Sequence, residues 1–545
     1  MKNLLRRIFG QKSEVNYLYF SFFLVFLTVL SLSHFFTWDL PLKGASLFFF
    51  IYAIGQALWE VCCFVLIAYI LKRWTPKWVY FAFISLSFVL MLVHFSNFIL
   101  VKLLDTTILY PMRYFFGSGV EHLIAGFQAL NMNTTMIAII LLTVFLVPIL
   151  GVFFYAWTFR MIRQRPLQVS LTQIALTIGM TGMALFLLDW FAHPFLNHES
   201  YAKYQKRLPL GTTFLAPTSR HVVLQHAFPG ARNEKDAQSH LPLIASKHLS
   251  NIYLFVIETF RRDFLDAAPH LTAFAQENIS FARSYANAGR TELSWFAIFH
   301  ADLPFHWAEM RDTWTQGSIP LQILKRMGYK ISVYSSADLK LFKMDRLIFG
   351  SERQLADRVE EFSSDWHLQP CERDALCFEA LKRDLEPEGN VYLIFLDSTH
   401  SEYSFPKHFP LQYTPIAAEI NYLTLGPNSP ELEMVKNRYR NAIHYVDHQI
   451  GRFFEYLQGK NLYQDAIIAV TGDHGEAFFE EGAMFHGTHL NEYTTAVPLF
   501  FKFPSPEWVS QTELATHIDL FPSILHYLTK QSDFTSLFDG RSIFS

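Results

Sequence analysis

No stretch of this chain concentrates enough basic residues to form a nucleic-acid-binding face or tail. Its 545 residues include 45 Lys and Arg against 48 Asp and Glu, a net charge of −3 with an isoelectric point near 6.7. Without a basic face or tail to track phosphates, nucleic acid is excluded as the main partner. Internal repeats and low-complexity tracts are also missing, and cysteine is scarce, with only four. Cys62 and Cys63 fall inside an apolar run and read as buried membrane residues. Cys371 and Cys377 admit two readings: a local disulfide, if their segment faces an oxidising compartment, or two free thiols on one helix. Neither looks catalytic. What the chain does have is apolar weight: 51% hydrophobic residues and 55 Phe, with most of that weight before residue 195. An average soluble domain does not read this way.

A hydrocarbon layer about 30 Å thick needs roughly 20 apolar residues of helix. Five stretches qualify, at about 16–36, 45–71, 79–101, 135–158 and 171–192. The first is too long for the apolar core of a cleavable signal and has no small-residue cleavage site after it, so a retained helix is expected. Lys2, Arg6, Arg7 and Lys12 precede the first span. Lys72, Arg73 and Lys77 fill the second loop, and Arg160, Arg163 and Arg165 the fourth, whereas the first offers only Lys43. That alternation predicts a cytoplasmic N-terminus, and five crossings then put everything after about 193 outside. The third loop, about 102–134, contains HLIAGFQAL, which suits an interfacial helix on the outer leaflet. Glu60, midway through the second span, is either functional or neutral and bonded to Gln56 on the same face.

Residues 194–247 are polar, with scattered Pro, His and Lys, and read as a juxtamembrane linker between a membrane domain (1–193) and a soluble domain (248–545). In the latter, near-continuous apolar runs at 251–258, 330–336, 391–397, 465–473 and 497–503 alternate with helical stretches at 269–277, 321–328, 372–386, 431–459 and 519–528. That alternation predicts an α/β/α domain with a mostly parallel central sheet. Ligands of such sheets bind beyond the carboxyl ends of the strands.

The residues just past those ends are informative. The first run ends in Glu258, followed by Thr259 and the pair Arg261-Arg262. Strand 391–396 runs into Asp397-Ser398-Thr399-His400, and strand 465–471 into Gly472-Asp473-His474-Gly475-Glu476. Three strands delivering carboxylates and imidazoles to one edge is metal-site chemistry. Solvated turn residues are the alternative for any one of them alone. Gly289-Arg290-Thr291 opens a helical run, where backbone N–H groups and the helix dipole favour an oxyanion or a phosphorylated hydroxyl. Arg290 adds a fork of donors for phosphate oxygens. A plain N-cap threonine with Ser294 one turn on is the competing account.

Together TGDHGE at 471–476, the Glu-terminated first strand, the Gly-Arg-Thr helix start and FHGTHLNEYTTAVPLFFKFP at 485–504 resemble the sulfatase-like branch of the alkaline phosphatase superfamily. Within it they are most similar to lipid A phosphoethanolamine transferases and lipoteichoic acid synthases. YRNAIHYVDHQIG (439–451) is similar to the helix those enzymes carry before the Asp-His strand, and five spans with an outer catalytic domain is their layout. The resemblance implies that Glu258, Thr291, Asp473 and His474 hold a divalent ion, Zn or Mn. Thr291 would be the nucleophile of a phosphothreonine intermediate. Arg290, His400 and His486 would line the substrate phosphate, with His489 beside them; His517 is left out as structural. A hydroxyl whose pKa lies far above 7 needs a bound cation to ionise, which agrees with these roles.

Two features depart from the wider family. No Cys or Ser lies in a C/S-x-P-x-R context, which argues against sulfate-ester hydrolysis, and the multi-Cys pattern typical of phosphoethanolamine transferases is missing. KRLPLGTTFLAP (206–217) ahead of a polar linker also resembles the layout of Gram-negative cardiolipin- and lipopolysaccharide-sensing sulfatase-like regulators. The expectation is therefore a periplasm-facing transferase in a bacterial inner membrane. Its donor would be a membrane phospholipid, its acceptor lipopolysaccharide (lipid A) or a glycan, and a membrane-protein partner on the spans stays open. Hydrolysis of the intermediate, or lipid-binding regulation without turnover, are the alternatives.

Overall fold

The computed structural model describes residues 12–38, 42–110, 112, 134–215, 249–363, 368–422, 424–532, 534 and 536–545. The chain divides into two compact units, Met1–Val222 and Val223–Ser545. The first is built on helices α1 (Tyr17–Trp38), α2 (Ala45–Trp74), α3 (Lys77–Leu104), α4 (Thr134–Met161) and α5 (Leu171–Ala192). Each contains a stretch long and apolar enough to cross a membrane. An antiparallel ribbon pairs Lys12–Val15 with Leu167–Ser170, so the N-terminal entry and the turn before α5 share one end of the bundle. The HLIAGFQAL segment lies outside the described residues.

Polar side chains inside these helices find partners. Glu60 Oε1 meets His94 Nε2 of α3 at 2.8 Å rather than Gln56. Gln56 instead donates to Thr212 O at 2.6 Å and accepts from Leu210 N at 3.3 Å. Asp189, fully buried, accepts from Leu215 N at 2.6 Å and from Tyr201 Oη at 3.4 Å. Residues 193–215 are thus no polar linker. They form a 3₁₀ turn, helix α6 (His198–Tyr204) and a second 3₁₀ turn, with Tyr201, Tyr204 and Leu208 packed against Phe35, Phe49 and Tyr52. Buried polar atoms in apolar helices require hydrogen bonds, and this segment supplies them.

The second unit is a seven-stranded sheet: β1 (Ile252–Ile257), β2 (Ile279–Ser280), β3 (Lys330–Ser335), β4 (Arg358–Glu361), β5 (Asn390–Leu396), β6 (Ile467–Gly472) and β7 (Leu499–Lys502), in the order β2-β7-β6-β1-β5-β3-β4. Only the pairings of β7 are antiparallel. Every residue of β1, β5 and β6 is buried, as expected of central strands covered on both faces. Their helices are α7 (Pro269–Glu277), α8 (Thr291–His300), α9 (Ile319–Arg326), α10 (Pro370–Arg383), α11 (Glu431–Gly459) and α12 (Leu520–Thr529). The edge strand β4, RVEE, escaped the sequence reading because an edge needs no apolar run. Cys371 and Cys377 are free and buried on α10. Six residues apart on a helix, they are separated by about 9 Å of rise, out of disulfide reach.

Register then sets the site. Ile257 pairs with Leu396 on one side and with Gly472 on the other, so β1, β5 and β6 end level and Glu258, Asp397 and Asp473 emerge side by side. Stacking of Trp295 on Phe395 at 4.1 Å holds α8 against the sheet, worth about 0.5–1.5 kcal/mol beyond area burial. The glycines of the Asp-His turn serve close approach: a Cβ on Gly475 would lie 2.1 Å from Tyr493 O. Gly475→Ala is expected to destabilise this unit by about 1–3 kcal/mol. Gly459→Ala, with open space around it at the end of α11, is expected to be neutral or stabilising by about 0.5–1 kcal/mol. Thermal melts of both variants beside the parent check this; equal melts would contradict the close approach.

Candidate metal centre and nucleophile

Thr291 is the first residue of α8, and the N-cap position belongs to Arg290, whose side chain makes no capping bond. The threonine hydroxyl is therefore free of capping duty. Its Oγ1 donates to Glu258 Oε1 at 3.2 Å and stands 3.2 Å from His474 Nε2. His474 Nε2 is in turn 3.3 Å from Glu258 Oε1 and 3.4 Å from Asp473 Oδ2. Glu258, Asp473 and His474 offer donor atoms within 4.8 Å of one another, and so do Glu258, His400 and His486.

Tautomers are set from behind. His474 Nδ1 lies 3.0 Å from Gly475 O, which assigns the proton to Nδ1 and the Nε2 lone pair to the site. His486 Nδ1 lies 2.6 Å from Glu476 Oε2, and Tyr403 Oη donates to Glu476 Oε1 at 2.9 Å. His400 and His486 rings are 5.4 Å apart. Glu476 was visible within TGDHGE, but its work was not, because Tyr403 is 73 residues away in sequence.

The strand-end turn is tightly determined. Thr259 has φ 52°, a left-handed conformation costly for a β-branched residue. Its N–H donates to Asp473 Oδ1 at 2.9 Å, its hydroxyl to Thr399 O at 2.6 Å, and its carbonyl accepts from Tyr439. Arg261 contributes structure rather than substrate contact, bonding Asp263, Glu480 and Glu476 O beneath the Asp-His turn.

Electrostatics distinguishes the three carboxylates. Burial, then the charges of Asp473 and Asp397, push the Glu258 carboxyl well above its ordinary value. Asp397 is raised by burial too, but Arg373 Nη2 pairs with it at 3.0 Å. Burial lowers His474 to about 4 and His486 to about 3, so both imidazoles are neutral, the form that ligates metals. Asp473 Oδ2 is buried with no hydrogen-bond partner among the described residues. A buried carboxylate oxygen facing Glu258, His474 and Thr291 fits a divalent cation, and the mixed oxygen and nitrogen donors suit Zn or Mn better than Ca.

The remaining sequence-derived residues divide. His400 and His486 join the cluster. Arg290 sits at its edge, its Nε donating to Gly487 O at 2.7 Å and Nη1 lying 3.6 Å from Glu292. His489 is in neither donor group; its Nδ1 meets Thr488 Oγ1 at 2.9 Å. His517 is fully buried against Gly472 O at 2.9 Å, supporting the end of β6 from below. Removing the carboxylate that orients His486, by Glu476→Ala, is expected to weaken divalent-metal binding about 10- to 100-fold. Equilibrium dialysis with metal analysis checks this, and unchanged affinity would contradict the positioning role.

Comparison with known proteins places this geometry in a family. Kdo(2)-lipid A phosphoethanolamine 7''-transferase of Salmonella typhimurium is 26% identical over 208 residues, 36% of this chain and 33% of that protein. Lipoteichoic acid synthase 1 of Bacillus subtilis is 24% identical over 173 residues, 27% of this chain and 26% of that one. The matches thus span about a third or less of these relatives' own lengths. The integral membrane protein lipooligosaccharide phosphoethanolamine transferase A from Neisseria meningitidis shares the fold, with a TM-score of 0.55 at 13% identity over 94% of this chain and 95% of that one. The sulfatase family model matches residues 250–530, just over half of the sequence and all seven strands of the sheet, and the chain belongs to the sulfatase family.

Proposed function

We propose that this protein transfers a phosphorylated headgroup, such as phosphoethanolamine, from a membrane phospholipid to an envelope glycolipid or glycan through a phosphothreonine at Thr291. The observation that carries this reading is the position of Thr291 Oγ1 at a helix start, 3.2 Å from both Glu258 Oε1 and His474 Nε2. Glu258, Thr291, Asp473 and His474 would hold a divalent ion, Zn or Mn, whose charge favours the ionised hydroxyl and offsets that of the transferred group. Thr291 Oγ1 attacks phosphorus, the bond to the diacylglycerol oxygen breaks, and that oxygen takes up a proton. With a cation offsetting the neighbouring charges that raise it, Glu258 Oε1 would be the acceptor for the hydroxyl's own proton. The N–H groups at the start of α8 favour the phosphorylated side chain. Arg290 is the donor for the non-bridging oxygens; His400 and His486, whose nitrogens with Glu258 form the second donor group, line the phosphate beside it. An acceptor hydroxyl or phosphate then displaces Thr291.

Five membrane helices on the same chain keep the site near its lipid donor at high effective concentration. The Lys and Arg bias of the loops supports a cytoplasmic N-terminus in a bacterial inner membrane, with the second unit in the periplasm. Salmonella and Neisseria relatives named for phosphoethanolamine transfer to lipid A or lipooligosaccharide support that headgroup and acceptor class.

Full-length protein in detergent, loaded with Zn or Mn and incubated with phosphatidylethanolamine, is expected to carry one phosphoethanolamine on the Thr291 peptide by mass spectrometry. Thr291→Ala is expected to reduce headgroup transfer by about 10³-fold or more, and Asp473→Ala to abolish the adduct with the metal. No adduct in a metal-loaded sample would overturn transfer in favour of lipid-binding regulation. An adduct that decays to free phosphoethanolamine whatever acceptor is supplied would make the protein a hydrolase.

A further inference from the structure

The helix motif at 439–451 contains two histidines that headgroup transfer does not use. His444 and His448 are four residues apart on α11, on one face, with Cβ atoms about 5–6 Å apart. A third imidazole joins them. His270, at the start of α7, has its ring centroid 6.2 Å from that of His448. Gly451 admits that ring, since a Cβ there would lie 2.4 Å from it. Asp447 locks the junction, its two carboxylate oxygens accepting from His270 N at 3.0 Å and Leu271 N at 2.7 Å. Phe409 covers one flank, its ring 5.7 Å from His444 and 5.9 Å from His448.

His444 Nδ1 meets Ala267 O at 3.2 Å. That bond assigns the proton to Nδ1 and leaves the Nε2 lone pair outward, the second-sphere arrangement that orients ligating histidines. His448 is held below the ordinary imidazole value by burial and by Arg452, so it is neutral at physiological pH. His270 is exposed, and His444 and His448 are half-buried, which leaves the cluster open to solution. Among the described residues, three donor atoms lie within 4.8 Å only in the two groups around Glu258. Ligation here therefore requires side-chain rotation within the cluster, whose His270 is exposed.

We propose that His270, His444 and His448 form a second metal site, separate from the Glu258 centre, in which three imidazole nitrogens take a Zn, Ni or Cu ion and clamp α7 to α11. The donor set contains no free carboxylate, because both oxygens of Asp447 are committed to backbone N–H groups. It therefore selects ions that favour nitrogen over Mg, Mn or Ca. The proposal is independent of headgroup transfer.

The test uses tag-free, full-length protein in detergent, stripped of metal and dialysed against Zn or Co. The parent is expected to retain one equivalent more than His444→Ala/His448→Ala, with the remaining equivalent lost in Asp473→Asn. In the Asp473→Asn background, saturating Zn is expected to raise the melting temperature by about 4 °C or more, and His270→Gln, an exposed change, to remove that rise. Cobalt bound in the Asp473→Asn background is expected to show a nitrogen-ligated visible spectrum. Equal metal content in the parent and the double variant, or a Zn-induced rise that survives His270→Gln, would overturn the site.

Discussion

Three buried strands end on one level, and each is followed by a residue whose side chain faces its neighbours beyond the sheet. Ile257, Leu396 and Gly472 share a row, which makes Glu258, Asp397 and Asp473 neighbours. Crowding like charges away from water is costly, and the fold answers it differently at each position. Arg373 neutralises Asp397. Asp473 Oδ1 accepts two backbone N–H groups, from Thr259 and from His474. Glu258 and Asp473 Oδ2 keep the uncompensated share, and they are the atoms closest to Thr291 and His474. A cation is what the remaining charge calls for.

The elements around this point hold side chains at angles that short loops alone could not maintain. Thr259 accepts a left-handed backbone because three hydrogen bonds from separate segments determine it. Arg261, packed over Phe264, Phe478 and Tyr493, ties the β1 exit to the segment after the Asp-His turn. Glu476 carries His486, and Tyr403 carries Glu476, so the second imidazole layer hangs on a buried chain of bonds. Burial lifts the Glu476 carboxyl to about 7, and the two partners that share its oxygens give it a use for that position. Rigidity of this kind is what the proposed headgroup transfer would need, since catalytic groups must be held before the reacting group arrives.

Much of this was legible in the sequence, for identifiable reasons. Central strands of a parallel sheet advertise themselves as unbroken apolar runs, and a charged residue directly after such a run stands out, as Glu258 and Asp473 do. The five membrane helices are equally plain, because nothing else requires so many consecutive apolar residues. Register is not written in any single strand, so the meeting of Glu258, Thr291 and His474 rested on resemblance until β1, β5 and β6 were seen to end together. Partners distant in sequence were invisible: Arg373 for Asp397, Tyr403 for Glu476, His94 for Glu60. His489 looked equivalent to His486 in FHGTHL, but three residues along an irregular turn point it at Thr488 instead. The polar stretch after residue 193 read as linker because composition alone does not reveal that Asp189 and Gln56 need partners.

The same accounting of buried polar atoms governs both units, and it shows why the orphan oxygen of Asp473 carries weight. Unpaired buried atoms also occur at Glu60 Oε2, Trp295 Nε1 and His517 Nδ1. An indole N–H wrapped by apolar neighbours costs a hydrogen bond and attracts nothing in particular. Glu60 Oε2 belongs to a carboxylate whose other oxygen already meets His94. His517 uses its second nitrogen on Gly472 O and needs no more than that to support β6. Asp473 Oδ2 differs in its surroundings: a second carboxylate, a neutral imidazole with its lone pair inward and a threonine hydroxyl all face the same point. Beyond the bond from Thr291 to Glu258, the two carboxylates and the imidazole lone pair repel one another without a positive charge between them. The convergence, more than the missing hydrogen bond, is what distinguishes a binding centre from a tolerated imperfection of packing.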